Sequence, residues 1–183
     1  MSPTELLAAL LSALGVWLTT RRQMLCWPVS LVASLLYLWI FARVKLWADA
    51  GLQAVFVALL LYGWELWHEA SDTGGLPVAR PSARQIGVGL VAGAVAGLCL
   101  WQGLGRWTAD PVPFADAFLT AFSLVGQFWT ARRWRESWLI WIAADTGYTA
   151  LFLAREMYPT AVLYAVFTVL AVSGYRKWTS PSP

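Results

Sequence analysis

The chain has 183 residues, 59% of them apolar and 13% charged, against about 25% charged in a soluble domain. Its net charge of +3, divided among short loops, forms no basic surface for nucleic acid. A single histidine, His68, excludes a His-rich zinc site or a bis-histidine haem within one chain, and Cys26 and Cys99 lie in apolar stretches without CxxC spacing. Both cysteines read as buried thiols, and no metal or cofactor is implied.

Apolar runs long enough to cross a bilayer occur at about 3–20, 26–42, 47–68, 86–104, 114–131, 137–154 and 157–175. They predict an all-α integral membrane protein with seven transmembrane helices. The first run begins with Glu5 in place of basic residues, so it reads as a retained helix and not a signal peptide. Arg21-Arg22, Arg43-Val44-Lys45 and Arg155-Glu156 mark connections so short that the helices they join must be antiparallel. Only 69–85, with Asp72-Thr73-Gly74-Gly75 and Pro77 to Pro81, resembles a loop. Trp47, Trp67, Trp107 and Trp178, near span ends, read as interfacial belt residues. Gly89, Gly93 and Gly97 make a small-xxx-small stripe, which serves either packing within the chain or a subunit contact.

The segment 12–64 recurs without a gap at 123–175. Identical pairs include Gly15/Gly126, Thr19/Thr130, Arg22/Arg133, Trp27/Trp138, Tyr37/Tyr148, Phe56/Phe167 and Gly63/Gly174. A three-helix unit duplicated directly would leave its second copy inverted, and an unrepeated fourth helix corrects this. The layout is therefore 3+1+3 with parallel repeats: a first bundle at 1–68, a loop at 69–85, a linker helix at 86–104 and a second bundle at 114–178. On that layout Arg21, Arg22, Arg80, Arg84, Arg132, Arg133, Arg135, Arg176 and Lys177 share one side. Arg43, Lys45, Arg106 and Arg155 take the other. The excess of basic residues puts the C-terminus in the cytoplasm and the N-terminus outside.

Asp145 is the one acidic residue near the middle of a span, a position costing about 2.5–3.5 kcal/mol unless it faces a cavity or a partner. Trp138, Trp141, Asp145 and Tyr148 fall on one helical stripe, matched in the first half by Trp27, Ser30, Ser34 and Tyr37. The third helix adds Asp49, Gln53 and Phe56, its repeat adds Thr160, Tyr164 and Phe167, and the fifth helix adds Gln127 and Thr130. Facing each other, these stripes would form an aromatic-walled cavity with a single buried carboxylate, suited to a flat cationic ring. The alternative is that the polar groups merely join helices, at about 0.6 kcal/mol each. No nucleophile–histidine pair, HExxH, paired acids or Walker loop is present, so the chain reads as no enzyme and no ATP-driven pump.

The run Trp27-Pro28, Tyr37, Phe41, Asp49, Leu52-Gln53, Phe56, Tyr62-Gly63-Trp64 and Trp67, followed by Trp141-Ile142-x-x-Asp145 and Leu151-Phe152, resembles the Pnu vitamin transporters. Phe152 stands where that pattern closes on Tyr, removing one hydroxyl. The resemblance implies a fold similar to the SWEET sugar carriers, a homotrimer in the bacterial inner membrane, and facilitated diffusion of a vitamin trapped afterwards by cytoplasmic phosphorylation. Nicotinamide riboside, with its pyridinium ring, is the substrate implied first, and thiamine, with its thiazolium, is the alternative. The expected binding residues are Asp145, Trp141, Trp138, Tyr148, Gln53, Gln127, Trp27, Ser34, Tyr37, Phe56, Tyr164 and Phe167. A non-transporting membrane subunit, whose polar stripes pack into a sealed core, is the rival from another class.

Overall fold

Charged pairs delimit the helices of the computed structural model, which describes residues 3–72, 75–107 and 113–179, without the side chains of 48 and 104–107. Among the described residues there are seven helices: α1 (Pro3–Thr20), α2 (Cys26–Arg43), α3 (Trp47–Asp72), α4 (Ala83–Trp107), α5 (Pro113–Ala131), α6 (Ser137–Ala154) and α7 (Tyr158–Thr179). On length and hydropathy alone, spans within α1, α2, α3, α4 and α7 qualify to cross a membrane. The remaining two, α5 and α6, carry Asp116, Gln127 and Asp145 among their apolar residues.

Four hairpin turns share one geometry. Arg22, Lys45, Arg133 and Glu156 adopt left-handed φ values of 55°, 61°, 59° and 58°. In each, the next N–H reaches back five residues to close the helix: Gln23 to Leu18 O, Leu46 to Phe41 O, Trp134 to Trp129 O and Met157 to Phe152 O, at 2.9–3.2 Å. This is the Schellman closure, made without the usual glycine and at some cost in backbone strain. Arg22/Arg133 and Lys45/Glu156 are pairs of the repeat, so the chain reverses in the same way in both halves.

The loop is shorter than 69–85. α3 continues to Asp72, its last turn exposed to solvent, with His68 Nδ1 3.4 Å from Asp72 Oδ2. α4 begins at Ala83 behind a capping box, in which Gln85 Oε1 accepts from Ser82 N–H at 2.8 Å and Ser82 Oγ accepts from Gln85 N–H at 3.3 Å. Polar residues extend both helices past their apolar runs, which an apolar pattern does not register.

Six helices close a ring. α1 packs on α2, α2 on α3, α3 on α5, α5 on α6, α6 on α7, and α7 on α1, while among the described residues α4 packs on α5 alone. Gly89, Gly93 and Gly97 lie against Trp129, Phe122 with Val125, and Phe118, where an added Cβ would come within 2.6, 3.1 and 3.1 Å. The glycine stripe thus serves packing of α4 on α5. Because α4 lies outside the ring, Cys99 is exposed, contrary to the buried thiol expected, whereas Cys26 is buried in the ring.

The core gathers at the end of the ring where α1, α3, α5 and α7 finish and α2 and α6 start. Trp67 and Trp178 are buried there and not in an interfacial belt, because their rings complete a chain of four indoles. Trp27 meets Trp67 edge-on at 5.1 Å, Trp67 lies 6.1 Å from Trp178, and Trp178 meets Trp138 edge-on at 5.4 Å. Trp27 and Trp138 lie on Gly63 and Gly174, where any Cβ would strike the ring. Trp47, by contrast, is exposed, and the Trp107 side chain lies outside the described residues.

Residues 75–82 strap across this end. Leu76 and Val78 pack on the indole cluster. Arg22 Nη1 donates to Leu76 O at 3.4 Å, Arg133 Nε to Pro77 O at 3.2 Å, Arg133 Nη1 to Leu66 O at 3.1 Å, and Ala79 N–H to Arg133 O at 3.0 Å.

Candidate functional site

The ring encloses a cavity of about 780 Å³. Toward one end it is lined by Glu5, exposed Asp49, Arg155 and exposed Met157; at the other it stops on the buried rings of Trp27 and Trp138. A space of this size is a small-molecule site in volume, and it rules against the sealed core that a purely structural subunit would have.

All twelve residues singled out from the sequence line it. Asp145, Trp141, Trp138 and Tyr148 come from α6; Trp27, Ser34 and Tyr37 from α2; Gln53 and Phe56 from α3; Gln127 from α5; Tyr164 and Phe167 from α7. Trp27 and Trp138, 1% and 2% exposed, belong to the indole cluster that closes one end of the ring, so they form the floor. Their indole N–H groups have no hydrogen-bond partner.

The helical stripes explain the convergence. On α6, residues 138, 141, 145 and 148 recur at the helical period and so face the ring interior together. Asp145 is 5% exposed and is the one buried charged residue among those described. The ion pairs His68–Asp72 and Arg135–Glu136 lie away from Asp145, whose burial is what raises the need for a counter-charge.

Two pairs of polar groups in the cavity brace each other. Trp141 Nε1 donates to Thr130 Oγ1 at 3.1 Å, and Thr130 in turn donates to Gly126 O at 2.8 Å. Tyr148 Oη lies 3.1 Å from Thr120 Oγ1. Tyr148, Phe152, Tyr164 and Phe167 form a continuous aromatic wall, with centroids 4.8 Å apart for Tyr148–Tyr164, 5.2 Å for Phe152–Tyr164 and 5.5 Å for Tyr164–Phe167. Tyr37 stacks on Phe41 at 5.8 Å as Tyr148 does on Phe152 at 5.9 Å.

Sequence reasoning missed the lining from α1 and the first part of α5: Glu5, Ser12, Thr120 and Ser123, with Arg155 between α6 and α7. A signal existed, since Ser12/Ser123 is an identity of the repeat and lies seven residues before Thr19/Thr130, on the same stripe. Small hydroxyl residues in membrane helices are so often packing groups that their spacing alone did not set them apart.

Comparison with known proteins agrees with this architecture. Residues 2–180 match the family described as nicotinamide mononucleotide transporter. The riboflavin/roseoflavin transporter RibM of Streptomyces davaonensis is 27% identical over 181 residues, covering 96% of this chain and 84% of that one. The nicotinamide riboside transporter PnuC of Escherichia coli is 23% identical over 165 residues, covering 76% and 69%. The crystal structure of the vitamin B3 transporter PnuC has the same fold, with a TM-score of 0.78 at 21% identity over 96% of this chain and 80% of that one. These relatives are transporters and not enzymes, and they share the helical fold described above: the chain belongs to the nicotinamide mononucleotide transporter family of multi-pass membrane proteins and resembles PnuC.

Proposed function

We propose that this protein takes up nicotinamide riboside by facilitated diffusion, with the vitamin trapped afterwards by phosphorylation in the cytoplasm. The observation that carries the reading is the Asp145 carboxylate, buried in an aromatic cavity that Trp141 also lines. A pyridinium ring offers a counter-charge for this acid and a flat face for the indole. The twelve lining residues named above are proposed as the binding site, with Gln53, Ser34 and Gln127 serving the ribose hydroxyls. Two parallel three-helix bundles joined by α4 would rock about the site. The shared hairpin geometry and the matched Trp27–Gly63 and Trp138–Gly174 contacts support that relation between the halves.

The distribution of basic residues supports an external N-terminus and a cytoplasmic C-terminus in a bacterial inner membrane. A homotrimer is proposed on family resemblance, with the outward valines of α4, Val88, Val91 and Val95, available for subunit contact.

Riboflavin is a second reading, favoured by the higher identity to RibM over nearly the whole chain. Thiamine, cationic like the pyridinium, is a third ligand of the same chemistry. Isothermal titration of the purified protein with nicotinamide riboside, thiamine and riboflavin tests the assignment. Tightest binding of nicotinamide riboside supports it, and binding of riboflavin alone would replace it.

A further inference from the structure

The two halves depart from each other at several positions inside the cavity, and the pair Ser30 and Trp141 differs most in size. Ser30 and Trp141 are equivalent in the repeat, and each lies against a glycine of the neighbouring helix. A Cβ on Gly15 would collide with the Ser30 hydroxyl, and one on Gly126 would lie 3.2 Å from Trp141 Cε2. The threonine one turn further along is also shared: Thr19 donates to Gly15 O, and Thr130 to Gly126 O, both at 2.8 Å. In the second half the buried Thr130 hydroxyl also accepts from an indole, Trp141 Nε1, at 3.1 Å, whereas the side-chain partner of Thr19 is Cys26. Such a bond is not general for indoles here, because Trp27 and Trp138 line the same cavity with their N–H groups unpartnered.

We infer that Thr130 is a positioning residue that fixes the Trp141 indole as a preformed wall of the ligand site. Gly126 admits the ring against α5, the threonine hydroxyl anchors its N–H edge, and the bond from that hydroxyl to Gly126 O leaves Oγ1 oriented as an acceptor. An indole turns about two side-chain torsions, and the hydrogen bond adds a fixed point to its packing on Gly126. Fixing it before the ligand arrives removes an ordering cost from binding. Ser30, at the equivalent place in the other half, leaves room where a second indole would stand. At this level the site therefore has an indole on the Asp145 side only, which favours one orientation of a flat ring.

This inference rests on the cavity being the vitamin site, and its test separates the two. Affinities for nicotinamide riboside and for riboflavin are measured on the purified protein and on Thr130→Val, Thr130→Ser, Trp141→Phe and the Thr130→Val/Trp141→Phe double variant, with size-exclusion chromatography to check assembly. Thr130→Val should weaken binding roughly three- to tenfold, the range of one neutral hydrogen bond, and Thr130→Ser should retain wild-type affinity. In the Trp141→Phe background, which lacks the donor, Thr130→Val should add no further loss. Equal losses in both backgrounds, or an unaffected Thr130→Val, would overturn the role, because packing of α5 does not depend on the indole N–H. If Thr130→Val does not assemble, Thr130→Ala and Trp141→Phe carry the test, and unchanged affinity in Trp141→Phe overturns the inference. Wild-type protein that binds riboflavin but not nicotinamide riboside would overturn the substrate reading alone. The Thr130 comparison would then be read with riboflavin, whose flat ring needs the same wall.

Discussion

Replacing Asp145 with Asn tests whether charge is what the cavity recognises. The change preserves size and leaves one carbonyl oxygen as acceptor, so assembly of α6 against its neighbours should persist. What it removes is the attraction between the carboxylate and a cationic ring. For unit charges about 5 Å apart at an effective dielectric near 20, that attraction is about 3 kcal/mol. Part of this offsets the cost of taking both charges out of water, leaving roughly 1.5–2.5 kcal/mol, or about 10- to 70-fold in affinity. Titration calorimetry on Asp145→Asn should therefore show nicotinamide riboside binding weakened by that factor. The neutral 1,4-dihydro form of the riboside should bind the variant within about threefold of wild type, because it has no positive charge to lose. Unchanged affinity of the Asn variant for the cation would refute the electrostatic role. An equal loss for both ligands would assign Asp145 to hydrogen bonding.

Other substitutions distinguish the wall of the cavity from its floor. Trp141→Ala should reduce vitamin affinity about 5- to 30-fold, for loss of an aromatic wall, whereas Trp178→Ala, which opens the indole cluster, should destabilise the fold by about 3 kcal/mol; thermal melts and titrations on both variants in detergent would check the division. Gly174→Ala places a Cβ 2.6 Å from Trp138 and should cost about 1–3 kcal/mol by overpacking, with Gly63→Ala behaving alike at Trp27, seen as lowered melting temperatures. Glu156→Gly relieves a left-handed φ at an exposed turn and should raise stability by about 0.5–1 kcal/mol after the added backbone entropy of the unfolded chain, measured by the same melts. A reporter active only in the cytoplasm should work when fused after Trp178, and activity of an external reporter there would reverse the orientation.

The helices were legible because their apolar runs end on charges. Arg21-Arg22, Arg43 and Arg155-Glu156 fix the boundaries of α1, α2 and α6 to within a residue. The last turn of α3 and the first of α4 escaped notice because they are polar and lie beyond the apolar runs, although Ser82 and Gln85 have capping-box spacing. Within the site, the aromatic and acidic stripe of α6 was readable because 3.6-residue periodicity turns spacing directly into a shared face. Thr130 was seen only as a polar neighbour, since its bond to Trp141 joins two helices and helical periodicity carries no information between them. Trp67 and Trp178 were misplaced for a related reason. A tryptophan near a span end suits a lipid interface and a sealed plug equally well, and only contact with Trp27 and Trp138 separates the two.

The strap over the indole cluster bears on how long an opening at that end can last. Arg22 and Arg133 belong to different halves, yet they hold adjacent carbonyls, Leu76 O and Pro77 O, of the same short stretch. Separation of the halves at this end must release at least one of these bonds. The stretch is covalently tied to α3 and α4, so it cannot diffuse away once released. It remains at high effective concentration beside its partners and can return on the timescale of short-loop closure, about 10–100 ns, whereas movements of whole helical bundles take microseconds to milliseconds. The strap would therefore reseal as soon as the bundles permit, and the lifetime of an opening would be set by the bundles alone.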